Sequence, residues 1–470
     1  MNMFQRTEQH NASQLAVIDE SGNMLTYGEL TSLADELASH LTTASLIFIL
    51  CENSPGALIG YLACLRKGAV PLMLDSQQDQ QRINTLTEIY RPAFIWQPVV
   101  ETAKKFLHQT HGYQLIASDA RPAIMHPDLA LLMSTSGSTG SQKMVRLSLR
   151  NLQSNAKSIQ QYLNISTNER PLIHLPMHYV FGLSVVNSHL LAGATLVMTR
   201  YSMMQREFWQ HIEKYNVTSL SGVPYTFEML HRLRFTTMNM PALRTLTQAG
   251  GKLSTKLHHF FAEYAYQHNK QFIVMYGAAE ATSRMAWLPP EMAREKCGSI
   301  GKSIPGGELS LQDDQGREIT ETEAQGELVY KGSNVMMGYA LSADDLLRGD
   351  DLNGVLLTGD IASRDSQGYF TVIGRKKRFL KIFGNRIGLD EMEALLKNQF
   401  SALDIACTGR DDRLTIFLTV AALGDEVKRY AAKVTQLHPS AFSVTILDNI
   451  PRTASGKTHY ERLMADENGI

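Results

Sequence analysis

Two hydrophobic rhythms share the first 75 residues. Leu30, Leu33, Ala34, Leu37 and Leu41 recur at helical spacing behind Thr26 and Glu29, which read as a capping box that opens a helix. The unbroken apolar run at 46–50 predicts a buried strand. Ser54 and Pro55 then supply a cap and a first-turn proline for a helix through Leu65, and 71–75 is a second short apolar strand. Further buried strands are expected at 93–96, 129–133, 172–175, 195–198, 243–247 and 271–275, most of them separated by helix-length segments. This alternation predicts an α/β architecture of packed layers, with no fixed-period repeat and no long low-complexity tract.

After about residue 300 the rhythm changes to strands without long helices, at 308–312, 326–330 and 369–373, broken by Gly306-Gly307 and Asp313-Asp314-Gln315-Gly316 turns. A small β-rich subdomain over about 300–373 is expected to close a large, multi-layer body with mixed sheets. A basic run, Gly374-Arg375-Lys376-Lys377-Arg378, follows. Beyond it the pattern predicts a helix from Asp390 with Glu393 as its capping partner, strands at 414–420 and 443–447, a helix at 426–437 and a last helix after Lys457. The economical division is an N-terminal domain over 1–373 and a C-terminal α+β domain over 374–470.

Composition narrows the function class by exclusion. The 470 residues exceed one ordinary core, and 45 Lys plus Arg nearly cancel 46 Asp plus Glu, so no global field draws the chain to nucleic acid or to an anionic membrane. The basic run lacks the interleaved aromatics that would stack on bases, so no nucleic-acid partner is expected. Cys51, Cys64, Cys297 and Cys407 are scattered without CxxC pairing, which argues against a disulfide framework or a zinc site and fits a reducing compartment. The first residues have no apolar core of signal-peptide length, and polar residues interrupt 183–198. A cytoplasmic protein with no membrane partner, monomeric or homodimeric, is the simplest expectation.

The chemistry begins at Leu131-Leu132-Met133-Ser134-Thr135-Ser136-Gly137-Ser138-Thr139-Gly140-Ser141-Gln142-Lys143, an apolar strand running into a loop of hydroxyls and glycines. Glycines let the backbone approach a ligand, peptide N–H groups and hydroxyls donate to phosphate oxygens, and Lys143 adds a positive charge. It is not a Walker A loop, because only two residues separate Gly137 from Gly140 and Met144 follows the lysine. A flexible Ser/Gly linker is the competing reading, although linkers seldom follow a buried strand directly.

Five stretches in order, namely this loop, Tyr276-Gly277-Ala278-Ala279-Glu280, Thr358-Gly359-Asp360, Gly374-Arg375-Lys376-Lys377 through Lys381 to Gly384, and Pro451-Arg452-Thr453-Ala454-Ser455-Gly456-Lys457, resemble the motifs of the adenylate-forming superfamily. That superfamily holds acyl- and aryl-CoA synthetases, peptide-synthetase adenylation domains and luciferases. The resemblance spans nearly the whole chain and implies a two-step reaction. A carboxylate attacks the α-phosphate of ATP, giving an acyl-adenylate and pyrophosphate, and a thiol then takes the acyl group.

By the same resemblance, Lys457 matches the catalytic lysine that bridges carboxylate and α-phosphate, and Glu280 the acid that holds Mg2+. Thr135, Ser136, Gly137, Ser138, Thr139, Gly140 and Lys143 would cradle the phosphates of ATP, and Gly250, Gly251 and Gly277 would border the nucleotide. Asp360 would accept from the ribose diol, Arg375 would reach the same ribose, and Tyr276 would offer adenine a flat face. Lys377 falls at the hinge of a mobile C-terminal domain, and Lys381 and Gly384 on the loop serving thioester formation. The thiol would belong to coenzyme A or to the phosphopantetheine of an acyl carrier protein.

The pocket for a small carboxylic acid is expected around His178, Tyr179, Tyr225, Gln248, Ala249 and Ala278. His178 is placed with the catalytic set and reads equally as a packed core histidine. Amino-acid-activating relatives carry an aspartate in the 175–183 region; none stands there, which favours a plain acid, aryl or aliphatic. The chain departs from the family pattern at Met144, where a glycine is usual, at Ala279, where a threonine hydroxyl faces the phosphates, and at Tyr460, where arginine is common. Losing one hydrogen bond to a charged group costs roughly 1.5–3 kcal/mol. An adenylation-impaired module that binds a nucleotide or carrier protein, or performs only thioester transfer, therefore stands as the alternative.

Overall fold

A computed structural model describes residues 12–468 apart from 101–105, 135–142, 377, 383–384, 402, 411, 436 and 454–455; the side chains of 379, 381, 385–386 and 466–468 also lie outside it. The first helix, Tyr27–Ser39, starts at the capping box read from sequence: Thr26 accepts from the Glu29 N–H, and Glu29 accepts from the Thr26 N–H at 2.8 Å. The second, Pro55–Lys67, is capped by Ser54 and stopped by Gly68 at φ 76°. The first packs on the second, and the second packs on an eight-stranded sheet whose centre, Leu129–Ser134, Val70–Asp75, Leu46–Cys51 and Phe94–Pro98, is parallel. These strands read as unbroken apolar runs because helices cover them.

A second sheet has a parallel half, Ser219–Gly222, Thr245–Gln248 and Gln271–Tyr276, followed by two short antiparallel strands. The helix Val180–Ala192 is buried almost all round in the largest core cluster. The β-rich texture after 300 is a four-stranded antiparallel sheet, Gly307–Gln312, Ala324–Gly332, Val355–Arg364 and Phe370–Arg375. Its last strand runs further than the 369–373 pattern indicated and pairs Arg375 opposite Asp360. A smaller C-terminal domain follows, with its own core around Leu380, Leu396, Ile416 and Phe442, a three-stranded sheet, and the helices Leu389–Gln399, Gly424–Thr435 and Tyr460–Asn468.

Two local expectations differ from the structure. The helix Leu389–Gln399 has Gly388 at its cap and no side-chain capping bond. Asp390 and Glu393 instead pair with Arg378, and Glu393 also accepts from the Cys407 N–H at 2.8 Å, because a buried guanidinium outbids a helix end for carboxylates. Second, Met144–Ser148 is a strand with no forecast, hydrogen-bonded to both Leu129–Ser134 and Gly338–Ala340. Among the described residues, no helix is long and apolar enough to cross a membrane.

Arg146 in that strand is fully buried. It donates to the carbonyls of Met337, Tyr339, Arg348 and Gly349 and pairs with Asp351 at 2.6 Å, so it ties the segment 337–351 to the strand behind the hydroxyl-rich loop. Arg146→Met leaves those carbonyls and Asp351 without a donor and is expected to cost roughly 3–5 kcal/mol. Asp351→Asn, at a partly exposed carboxylate, is expected to cost about 1 kcal/mol or less. Thermal unfolding of both variants beside the wild type checks this, and equal shifts would contradict it.

Candidate active site

The site lies where the two parallel sheets, the antiparallel sheet and the C-terminal domain meet. From the antiparallel sheet comes Asp360, buried, with Arg375 Nε 3.3 Å from its Oδ1. The Tyr276 hydroxyl, at the end of Gln271–Tyr276, donates to the other carboxylate oxygen, and Thr358 Oγ1 accepts from the Asp360 N–H at 3.1 Å. Burial pushes the Asp360 carboxyl up and the Arg375 charge opposes that; burial also holds the Tyr276 phenol well above its ordinary value, with the Asp360 charge reinforcing it.

Lys457 arrives from the C-terminal domain. Burial pushes its amine down to about 8, the Arg375 charge adds to that, and Glu280 and Asp360 oppose it. One amine thus feels the field of all three. Gly456, at φ 78°, turns the loop inward so that a Cβ there would stand 3.2 Å from Tyr225 and 3.3 Å from Val223.

Glu280 Oε1 accepts from the Tyr339 hydroxyl at 2.7 Å, and Lys143 Nζ sits 3.3 Å from the centre of the Tyr339 ring. A single aromatic side chain therefore joins the lysine that follows the hydroxyl-rich loop to the acid in the turn Ala279–Ala281, just after the strand Gln271–Tyr276. No group of three potential metal ligands occurs among the described residues. Glu280 alone fits Mg2+, which commonly takes one or two protein carboxylates and fills its octahedron with phosphate oxygens and water.

Around this centre, His178 Nε2 is 3.9 Å from Asp75 Oδ2, its Nδ1 is buried without a hydrogen bond, and burial lowers its pKa against the Asp75 charge. Tyr179 precedes the helix Val180–Ala192, and its hydroxyl would stand 2.7 Å from a Cβ on Gly250, which has φ 85°. Gly251 faces Pro224, Ala249 is buried in the core, and Ala278 is half-buried beside Tyr276. Tyr225 is 44% exposed. Gln248 turns back on its own loop, donating to Gly251 O at 2.9 Å. Gly277 admits no side chain, because the backbone of Ser283 and Arg284 occupies the place of its Cβ.

The candidates Thr135, Ser136, Gly137, Ser138, Thr139, Gly140, Lys377 and Gly384 lie outside the described residues; so does the side chain of Lys381, whose backbone is in the strand Phe379–Ile382. Sequence reading passed over Asp75, Tyr339 and Arg284. Arg284 carried a signal, being a lone charge in Ser283-Arg284-Met285-Ala286-Trp287-Leu288. Tyr339 carried little, since the residues it joins are about 60 and 200 positions away.

A family model described as AMP-binding enzyme matches residues 4–340. The chain belongs to the AMP-binding enzyme family. Among the relatives of this AMP-binding enzyme are the 2-succinylbenzoate–CoA ligase of Bacillus pumilus, 28% identical over 93% of this chain and 92% of that one, and the indoleacetate–CoA ligase of Aromatoleum aromaticum, 29% identical over 92% and 91%. The fold matches o-succinylbenzoate CoA synthetase from Bacillus subtilis in complex with its acyl-adenylate, with a TM-score of 0.78 at 24% identity over 98% of this chain and 97% of that one. ATP-bound MatB from Rhodopseudomonas palustris matches with a TM-score of 0.78 at 20% identity over 99% of each.

If Tyr339 steadies Glu280 for a metal, Tyr339→Phe raises the Mg2+ concentration needed for half-maximal nucleotide turnover about tenfold. Tyr339→Leu, which also removes the ring beneath Lys143, should weaken ATP binding further. A Mg2+ titration at fixed ATP checks both, and an unchanged requirement in Tyr339→Phe would count against the assignment.

Proposed function

We propose that this AMP-binding enzyme is an acid–thiol ligase: it activates a carboxylic acid with ATP through an acyl-adenylate and passes the acyl group to coenzyme A. The observation that carries the reading is the convergence of Lys457 from the small domain on Glu280, Asp360 and Arg375 of the large one. In the first step a carboxylate oxygen bonds to the α-phosphorus while the bond to the pyrophosphate bridge breaks. Two anions must meet, so the protein's task is to place positive charge between them and fix the geometry.

Lys457 supplies that charge, and Asp360 with Arg375 holds the ribose that sets the α-phosphate in line. Tyr276, whose hydroxyl is committed to Asp360, presents its ring to the base. The loop through Thr135–Thr139 and Lys143 takes the β- and γ-phosphates, and Glu280 would hold Mg2+, which when bound would supply positive charge to the phosphate oxygens. Tyr179, Tyr225, Ala249, Gly250, Gly251 and Ala278 wall the acid pocket, with Gln248 bracing the glycine turn and His178 beside Asp75 at its edge.

In the second step the sulfur of the thiol bonds to the acyl carbon and AMP leaves. The small domain turns about the joint at Lys377, withdrawing Lys457 and presenting Lys381 and Gly384, where a glycine lets a pantetheine arm pass. Relatives named as CoA ligases favour coenzyme A as the acceptor over a carrier protein.

ATP–pyrophosphate exchange over a panel of aryl and aliphatic acids tests the reading; exchange with none of them under Mg2+ would favour a binding module instead. Lys457→Ala should abolish exchange yet spare thiol transfer from a presynthesised acyl-adenylate. Equal loss of both steps would contradict the two-conformation assignment.

The lysine works as its cation, which prevails below its pKa. For the free enzyme, kcat/KM for the acid should therefore hold below about pH 8, the value to which burial brings Lys457, and fall with unit slope above it. Lys457→Arg should remove that descending limb from the same pH range.

A further inference from the structure

Among the described residues, two arginines of the large domain are buried, and they are treated differently. Arg146 spends its donors on four carbonyls and a carboxylate. Arg284 is 3% exposed, yet its Nε has no hydrogen-bond partner. Its guanidinium lies 4.0 Å from the centre of the Phe181 ring, donates to Ser283 Oγ at 2.5 Å, and is in reach of the Tyr162 hydroxyl.

No carboxylate forms an ion pair with Arg284 among the described residues. The titratable groups that face it are the phenols of Tyr162 and Tyr179. Burial pushes the Tyr162 phenol up to about 12 and raises that of Tyr179, so both are neutral at physiological pH. A desolvated guanidinium without a counter-charge is costly, and a purely structural role does not explain why this one lacks the partner that Arg146 has.

Position supplies the explanation. A run of close approaches leads from Lys457 to Arg284: Gly456 faces Val223, Val223 faces Gly250, Gly250 faces the Tyr179 hydroxyl, and Tyr179 feels the Arg284 charge. The charges that act on Lys457 are those of Arg375, Glu280 and Asp360, whereas the groups that act on Arg284 are Tyr162 and Tyr179. On the ligase reading, the acid pocket placed at Val223, Gly250 and Tyr179 therefore lies between the two cations.

We infer that Arg284, with the Tyr162 and Tyr179 hydroxyls, receives a second carboxylate on the substrate, distal to the one activated, so that the preferred acids are dicarboxylic. The inference rests on the ligase reading and narrows its substrate class. A guanidinium fork matches a carboxylate in two parallel hydrogen bonds, and a monoacid of equal length would leave that fork unpaired in a dry pocket. Arg284 is then a specificity residue that touches substrate away from the reacting atoms.

The test is pyrophosphate exchange with matched pairs of acids, such as butanoate against succinate, hexanoate against adipate, and phenylacetate against its carboxy-substituted analogues. At the best chain length, wild-type kcat/KM should favour the diacid by about tenfold or more. Arg284→Gln should erase that preference by raising KM for the diacid about tenfold more than for the monoacid, and Arg284→Lys should restore part of it.

Exchange with monoacids equal to or better than diacids at every length overturns the inference while leaving the ligase reading intact. The wild-type comparison decides this even if Arg284→Gln fails to fold. Equal loss with both acids in a folded Arg284→Gln would also overturn it, by making the arginine structural. Absence of exchange with every acid fails the ligase reading, and the inference falls with it.

Discussion

The site depends on keeping an amine partly out of water without letting it lose its charge. Burial and Arg375 drive Lys457 towards neutrality, and Glu280 and Asp360 hold it back. The balance is mixed because the neighbours serve two masters: Arg375 and Asp360 also pair with each other, and Glu280 is bonded to Tyr339. An approaching triphosphate changes the sum decisively, since its added negative charge favours the lysine cation. On the proposed reading, substrate binding and charging of Lys457 are thereby coupled.

That balance has meaning only if the surrounding backbone is rigid, and crowding supplies the rigidity. The strand end at Gly277 is pressed against Ser283 and Arg284 so closely that no side chain fits, and Gly250 is pinched between Val223 and Tyr179. Across the site, Arg146 gathers the carbonyls of 337–349 onto the strand Met144–Ser148, which fixes Tyr339 between Lys143 and Glu280. A buried arginine just beyond Lys143 in sequence thus holds the segment whose Tyr339 joins that lysine to Glu280.

Local physics was legible in the sequence, and long-range pairing was not. The Thr26–Glu29 box and the Ser54, Pro55 and Gly68 signals act within a turn of their own helix, so reading them sufficed. The same reasoning failed at Asp390 and Glu393, where the competing partners, Arg378, the Cys407 N–H and the Tyr460 hydroxyl, come from three other segments. The strand Gly338–Ala340 has too few residues to show a period, yet it carries Tyr339. Motif order placed Glu280, Asp360, Arg375 and Lys457, and the structure brings these four into one field. What the motifs do not encode is the proposed demand for a second carboxylate, because that rests on Arg284 being buried without a carboxylate beside it, a property visible only in three dimensions.

The departures from the family pattern are informative for the same reason. Met144 is 1% exposed and packs with Leu132 and Met337 in the core, so it alters the strand behind the loop rather than the loop's donors. Ala279 is 6% exposed beside Glu280, a position where a hydroxyl would have to be desolvated and then satisfied. Tyr460, in place of a cation, bonds Glu393 at 2.9 Å and lies under the Arg378 guanidinium at 3.7 Å, stiffening the root of the C-terminal domain. None of the three removes a charge from the Lys457 cluster. Loss of the first half-reaction would be expected to erode charges first, since they are the costly groups to keep buried and have no use once ATP is no longer attacked. Their joint retention, beside substitutions confined to packing and to a hydroxyl, supports an enzyme that still carries out both steps.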